Sequence, residues 1–161
     1  MNAGYVPGIV NMGIVFELME NNKKAEFYYR NAIKRDKTYE IAHYKLGKLL
    51  LRTNKMLEGL KEFKQALNYN PDFSPAYNEL GVVALENGKY ELALESLKKA
   101  VELDSTYATA YYNLGGVLEN MGKYNDAANA YNNYLKFADT PQDSQNVLIK
   151  IQILKTAGKY R

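Results

Sequence analysis

The sequence predicts an all-α fold, a row of antiparallel helix pairs repeating every 34 residues. Three observations predict it. A glycine follows an apolar residue at a constant step, in Met12-Gly13, Leu46-Gly47, Leu80-Gly81 and Leu114-Gly115. Further small residues keep that phase, first Ala25, Gly59, Ala93 and Ala127, then Ala32, Ala66 and Ala100, with Tyr134 breaking the row in the fourth copy. Between them stands a large side chain, Tyr29, Phe63, Leu97 or Tyr131. Several residue classes in one phase are not a chance match.

The elements follow in order. Each first helix carries apolar residues at helical spacing, as in Ile9, Met12, Gly13, Phe16 and in Tyr77, Leu80, Gly81, Ala84. The small positions let two helices joined by a short turn approach closely, and the large ones fill the space beside the contact. Gly88 and Gly122 suit a left-handed cap between the helices, and Asn54 tolerates the same conformation. The first copy has Glu20 in that slot and Asn21 next to it, so its turn is expected to shift by one residue. Each second helix continues the periodicity, for example Tyr90, Ala93, Leu94, Leu97, Ala100 and Val101. These helices should stop near Asp36-Lys37, Asn70-Pro71 and Asp104-Ser105. Tyr39, Phe73 and Tyr107 each precede a new unit and are expected to plug the junction; Tyr5 holds the same place before the first.

Composition narrows the function classes. Of 161 residues 47% are hydrophobic, enough for a core, and 21 basic against 18 acidic residues leave a net charge of +3. That balance does not suggest a nucleic-acid or membrane-surface protein. Without cysteine, disulfides and thiolate metal sites are excluded, so no metal and no cofactor is expected. The most apolar stretch, Gly8 to Met19, is interrupted by Asn11 and Glu17 and falls short of the roughly 20 residues a bilayer crossing needs. No signal peptide is evident, and a cytoplasmic protein without membrane insertion is the expectation.

The Leu-Gly pair in the first helix, followed by Tyr, Ala, a large ring and Ala, resembles the signature of the tetratricopeptide repeat family. The match covers 6–39, 40–73, 74–107 and 108–141, taken as one domain over 1–161. The ring expected three residues before the Leu stands as His43, Tyr77 and Tyr111, with Ile9 in the first copy. The resemblance implies a right-handed α-solenoid, a superhelix whose first helices line a concave groove that holds peptides or partner helices. Pentatricopeptide repeats, which read RNA, usually run at a period of about 35 residues, and the constant step here argues against them. The protein is therefore expected to bind a protein or peptide partner, to bind no nucleic acid, and to catalyse nothing. His43 is the one histidine in the chain and is expected to pack, since no cysteine or serine constellation accompanies it.

In the expected register the groove carries the rows Val10, Tyr44, Asn78, Tyr112; Asn11, Lys45, Glu79, Asn113; Ile14, Lys48, Val82, Gly116; and Glu17, Leu51, Leu85, Glu119. Beside them run Leu18, Arg52, Glu86 and Asn120. Lys45, Lys48 and Arg52 could attract a carboxylate or an acidic peptide. The plain alternative is ion pairing from repeat to repeat, Lys45 with Glu79 and Arg52 with Glu86, worth about 0–1 kcal/mol each. Lys48, whose row neighbour is Val82, is the best single candidate for a ligand contact. Tyr44, Tyr112, Leu51, Leu85 and Val82 would anchor the ligand, with Asn78 on the same row and Asn113 gripping peptide backbone. The carboxylate clamp of chaperone-binding relatives is absent in this register, where Val10, Ile14 and Glu79 stand. The asparagine ladder of sugar-transferase relatives is broken by Lys45 and Glu79.

After Pro141 the register slips, and a terminal helix is expected over about 143–157, before a Gly158-Lys159-Tyr160 turn signature. Its Val147, Leu148, Ile149, Ile151, Ile153 and Leu154 are not the polar face of a solenoid cap. The array is thus expected to be a fragment of a longer one, with a cap that turns its apolar side inward as the alternative. Self-association through this helix, or a recruiting region of a larger enzyme such as a glycosyltransferase, are further expectations.

Overall fold

A computed structural model describes residues 5–138 and 141–158. The described residues form helices α1 (Val6–Leu18), α2 (Asn22–Arg35), α3 (Glu40–Arg52), α4 (Met56–Tyr69), α5 (Ser74–Glu86), α6 (Tyr90–Leu103), α7 (Ala108–Asn120), α8 (Tyr124–Phe137) and α9 (Pro141–Gly158), with no strand. The fold is the all-α solenoid class, and first helices begin at Val6, Glu40, Ser74 and Ala108, in step with the sequence repeat. Lys159 and Tyr160 of the terminal turn signature lie outside the described residues.

The chain divides into two compact units, 1–76 and 77–161. In the first, Val10, Tyr29, Ala32, Leu46, Leu49 and Leu50 pack into one core between α1, α2 and α3, and Phe63 is buried beside α3 on α4. In the second, Leu97, Leu114, Val117, Ala127 and Tyr131 pack with Val147, Ile151 and Leu154 of α9. Burying a ring such as Phe63 contributes about 2–3 kcal/mol.

Within a pair the helices run antiparallel, because contacts advance along one helix as they retreat along the other. Leu51 lies by Gly59, Gly47 by Phe63, and His43 by Tyr69. The glycines permit this approach. A Cβ on Gly47 would come within 2.6 Å of the Phe63 ring, and one on Gly115 within 2.6 Å of the Tyr131 ring.

The turns are identical in all four pairs. Asn21, Lys55, Lys89 and Lys123 donate backbone N–H bonds to Phe16, Leu50, Ala84 and Leu118 at 2.8–2.9 Å, one helical turn and a residue back. The preceding residue, with φ of 58° (Glu20), 60° (Asn54), 70° (Gly88) or 72° (Gly122), closes the Schellman cap. The expected one-residue shift in the first repeat does not occur. Glu20 itself takes the left-handed conformation, because the cap hydrogen bonds and the packing of α2 on α1 outweigh the local strain.

Candidate functional site

The first helices expose two aromatic clusters, one in each unit, built by the same rule. On α3 the Tyr44 ring is held by Phe63, 6.1 Å away, and by Phe73, 5.3 Å away and edge-on. On α7 the Tyr112 ring, 42% exposed, meets Tyr131 at 5.5 Å and Tyr134 at 5.2 Å, both edge-on. In both cases one supporting ring is the large residue of the second helix. The other is the junction aromatic Phe73 in one unit; in the other it is Tyr134 of α8, in the slot that Ala32, Ala66 and Ala100 hold in the other repeats. Edge-to-face contacts fix the exposed ring in orientation, so little freedom is left to lose on binding.

Around Tyr44 the charge is basic. The Lys45 and Lys48 ammonium groups lie 5.9 and 5.7 Å from its ring centroid, within cation–π reach. Lys48 is exposed, while Lys45, Leu51 and Tyr44 are half-buried. Arg52, expected to face Glu86, instead donates from Nη2 to Asn22 Oδ1 at 2.8 Å and pairs through Nη1 with Glu17 Oε1 at 3.3 Å. Its guanidinium is thus committed to the first repeat, because α1 and the start of α2 bring an acceptor pair within its reach.

In the second unit Asn78 is buried, 2% exposed, and is no open groove residue. Its Oδ1 accepts from Asn113 Nδ2 at 2.8 Å. Asn113, next to Tyr112 on α7, is half-buried, as are Val82 and Leu85 on α5. Val10, placed in the same row as Asn78, is also buried. That row points between helices, and only its tyrosines are large enough to reach outward.

Two polar networks escaped the sequence reading. The Tyr29 hydroxyl donates to Glu17 Oε2 at 2.6 Å, and Glu17 also holds Arg52. The Tyr131 hydroxyl donates to Glu119 Oε2 at 3.0 Å, and Lys150 of α9 pairs with the same oxygen at 2.9 Å. Burial and the neighbouring Glu119 push the Tyr131 phenol up to about 12, and burial with Glu17 likewise raises Tyr29. Both phenols stay protonated donors. The signal was present, since the first and fourth copies pair Tyr with Glu where the second and third pair Phe or Leu with Leu.

His43 packs, as expected, but it is also bonded at both nitrogens. It is 5% exposed, with Nδ1 2.7 Å from Glu62 Oε2 and Nε2 2.9 Å from the Lys37 carbonyl oxygen, and its ring stacks on Tyr69. A carboxylate and a carbonyl both accept, so only the imidazolium satisfies both. Burial opposes its charge, but the bonds to Glu62 and to Lys37 outweigh burial and raise its pKa.

The terminal α9 turns Val147, Ile151 and Leu154 inward and leaves Leu148, Ile149 and Ile153 exposed. Among the described residues no helix is long and apolar enough to cross a membrane.

Comparison with known proteins agrees with this architecture. A tetratricopeptide repeat model matches residues 7–39, 41–73 and 108–140, a second matches 62–95, and a TPR repeat model matches 85–122. No curated protein matches by sequence. Among solved structures the chain is similar to the protein MamA, with 22% identity, 99% of this chain and 89% of that one covered, and a TM-score of 0.72. It is similar to YrrB, described as a TPR protein with an unusual peptide-binding site, at 19% identity, 99% and 81% coverage and a TM-score of 0.74. It is also similar to pilF of Pseudomonas aeruginosa, at 22% identity, 96% and 72% coverage and a TM-score of 0.80. With its caps, glycine seats and helix pairs in one phase along the chain, this protein belongs to the tetratricopeptide repeat family.

Proposed function

We infer that the protein is a non-catalytic interaction scaffold whose first-helix surfaces hold a peptide or a partner helix. The observation that carries this is the repeated construction of Tyr44 and Tyr112, one half-buried and one exposed, each clamped by two other rings. Rigid aromatics on a desolvated footing are what binding hot spots are made of. On α3 the ring stands among Lys45 and Lys48, which suits a ligand with an acidic or carbonyl-rich segment. On α7 it stands beside Asn113, whose amide carbonyl accepts from a peptide N–H. YrrB, similar in fold, is described as a peptide-binding TPR protein, which supports the class of ligand.

The test is affinity capture with wild type and with a Lys48→Glu, Tyr112→Ala variant of equal thermal stability. Partners bound through these surfaces should be lost on the order of tenfold or more in the variant. A partner set retained equally by both proteins removes this reading.

A further inference from the structure

The positive charge of this chain is concentrated on one helix that the first-helix surfaces do not use. Helix α2 carries Lys23, Lys24, Arg30, Lys34 and Arg35 against a single acid, Glu26. That is an excess of four in a chain whose net charge is +3, so everything outside α2 is slightly acidic. Lys23, Arg30 and Lys34 lie on one exposed stripe of the helix, spanning about 16 Å at the α-helical rise. In the middle of that stripe stands Phe27, 63% exposed. The same slot holds Lys61, Glu95 and Asn129 in the other three repeats, all solvent-facing polar residues. Phe27 braces edge-on against Tyr28, 5.4 Å away, which in turn stacks on Phe16 at 5.2 Å. Phe27, Arg30, Asn31 and Lys34 line a shallow hollow.

Helix stability does not account for this pattern. Lys34 and Arg35 favour the negative end of the helix dipole, but Lys23 and Lys24 sit in the first turn, where it repels them. The other second helices place Glu58, Glu91 and Asp126 in that turn. Lys24 recovers something by lying 4.9 Å over the Phe16 ring. The first repeat alone forgoes the favourable acid and adds an exposed ring.

We propose that the outer stripe of α2 is a second docking surface, distinct from the first helices, for an acidic protein segment with an apolar side chain between its carboxylates. Lys23 and the Lys34 end would each take carboxylates, and Phe27 with the hollow beside it would take the apolar residue. A duplex or an anionic bilayer reads a positive field summed over a wide surface. The rest of this chain does not supply one, and Glu26 and Glu58, both bonded to Arg30, interrupt the field at the flank of the stripe. A compact acidic peptide needs only the local charges.

The test uses the full chain and a fluorescein-labelled glutamate-rich peptide with leucine and phenylalanine at its centre, in about 0.15 M salt. Phosphatidylcholine vesicles with about one-fifth phosphatidylserine, and a single-stranded oligonucleotide, are titrated in parallel. Lys23→Glu with Lys34→Glu should weaken peptide binding on the order of tenfold, and Phe27→Asn several-fold. Lys23→Glu alone should leave the melting temperature unchanged or higher, since it places an acid in the first turn. The same losses should be seen when the α2 substitutions are made in the Lys48→Glu, Tyr112→Ala background, where the acidic-ligand surface proposed on the first helices is disabled, which keeps this outcome independent of the proposed first-helix function. The proposal is overturned if wild type does not bind the peptide saturably, or if the charge-reversed protein binds it equally. Vesicles or the oligonucleotide binding as tightly as the peptide would overturn it too, and would assign the stripe to that partner instead.

Discussion

The first and fourth repeats differ from the second and third at two slots that face each other across the helix pair. Where the first helix offers Glu17 or Glu119, the second helix offers Tyr29 or Tyr131, and the hydroxyl donates to the carboxylate. Where the first helix offers Leu51 or Leu85, the second offers Phe63 or Leu97, with no polar atom to satisfy. Each compact unit therefore contains one repeat of each kind. The lesson is that the polarity of the first-helix surface is set partly from beneath, by a residue of the other helix. A buried phenol requires an acceptor, and the acceptor then recruits a cation, Arg52 in one unit and Lys150 in the other.

The sharpest way to break this comparison is to mix the two pairings. Glu17→Leu alone leaves the buried Tyr29 hydroxyl without its acceptor and should cost about 1–3 kcal/mol in urea unfolding. Adding Tyr29→Phe converts the pair to the apolar kind and should recover most of that loss. Two losses that simply add would show that the slots are not coupled.

A second contrast sets His43 against Tyr77 and Tyr111 in the same slot. Because the folded state raises the His43 pKa, its contribution is complete below the ordinary histidine range and is lost as pH rises through the raised value. Stability of the first unit should fall over that window by at most about 1.4 kcal/mol per pH unit, and a His43→Gln protein should lack the slope. A flat profile in wild type would mean that His43 holds its proton no more tightly in the folded protein than in the unfolded chain.

The smallest effect concerns the turns. Glu20 and Asn54 hold a conformation that Gly88 and Gly122 adopt without strain. Glu20→Gly should stabilise the first repeat by about 1 kcal/mol, read as a rise in melting temperature. The equivalent change at Asn54 should gain less, since asparagine tolerates the left-handed region.

Legibility in the sequence tracked the physics of each feature. Helix starts, pair turns and glycine seats recur because each depends on contacts within one repeat or with its neighbour, and a periodic sequence repeats them. The site was legible only in part. The placement of Tyr44, Lys45, Lys48 and Tyr112 along the first helices follows from helical periodicity alone. The burial of Asn78, the turning of Arg52 to Glu17 and the Tyr–Glu networks do not, because each depends on how far a particular side chain reaches.

The sequence by itself thus determined the repeat, the helix pairs, the turn positions and the faces on which ligand residues could stand. Backbone spacing and the need for small residues at close contacts are periodic constraints, and a periodic text records them fully. Tertiary structure alone decided which polar atoms of those faces are already spent. It decided that both nitrogens of His43 find acceptors and that Asn78 is closed in by Asn113. Side-chain partners are chosen by distances of a few tenths of an ångström between helices, and no spacing along the chain encodes those distances.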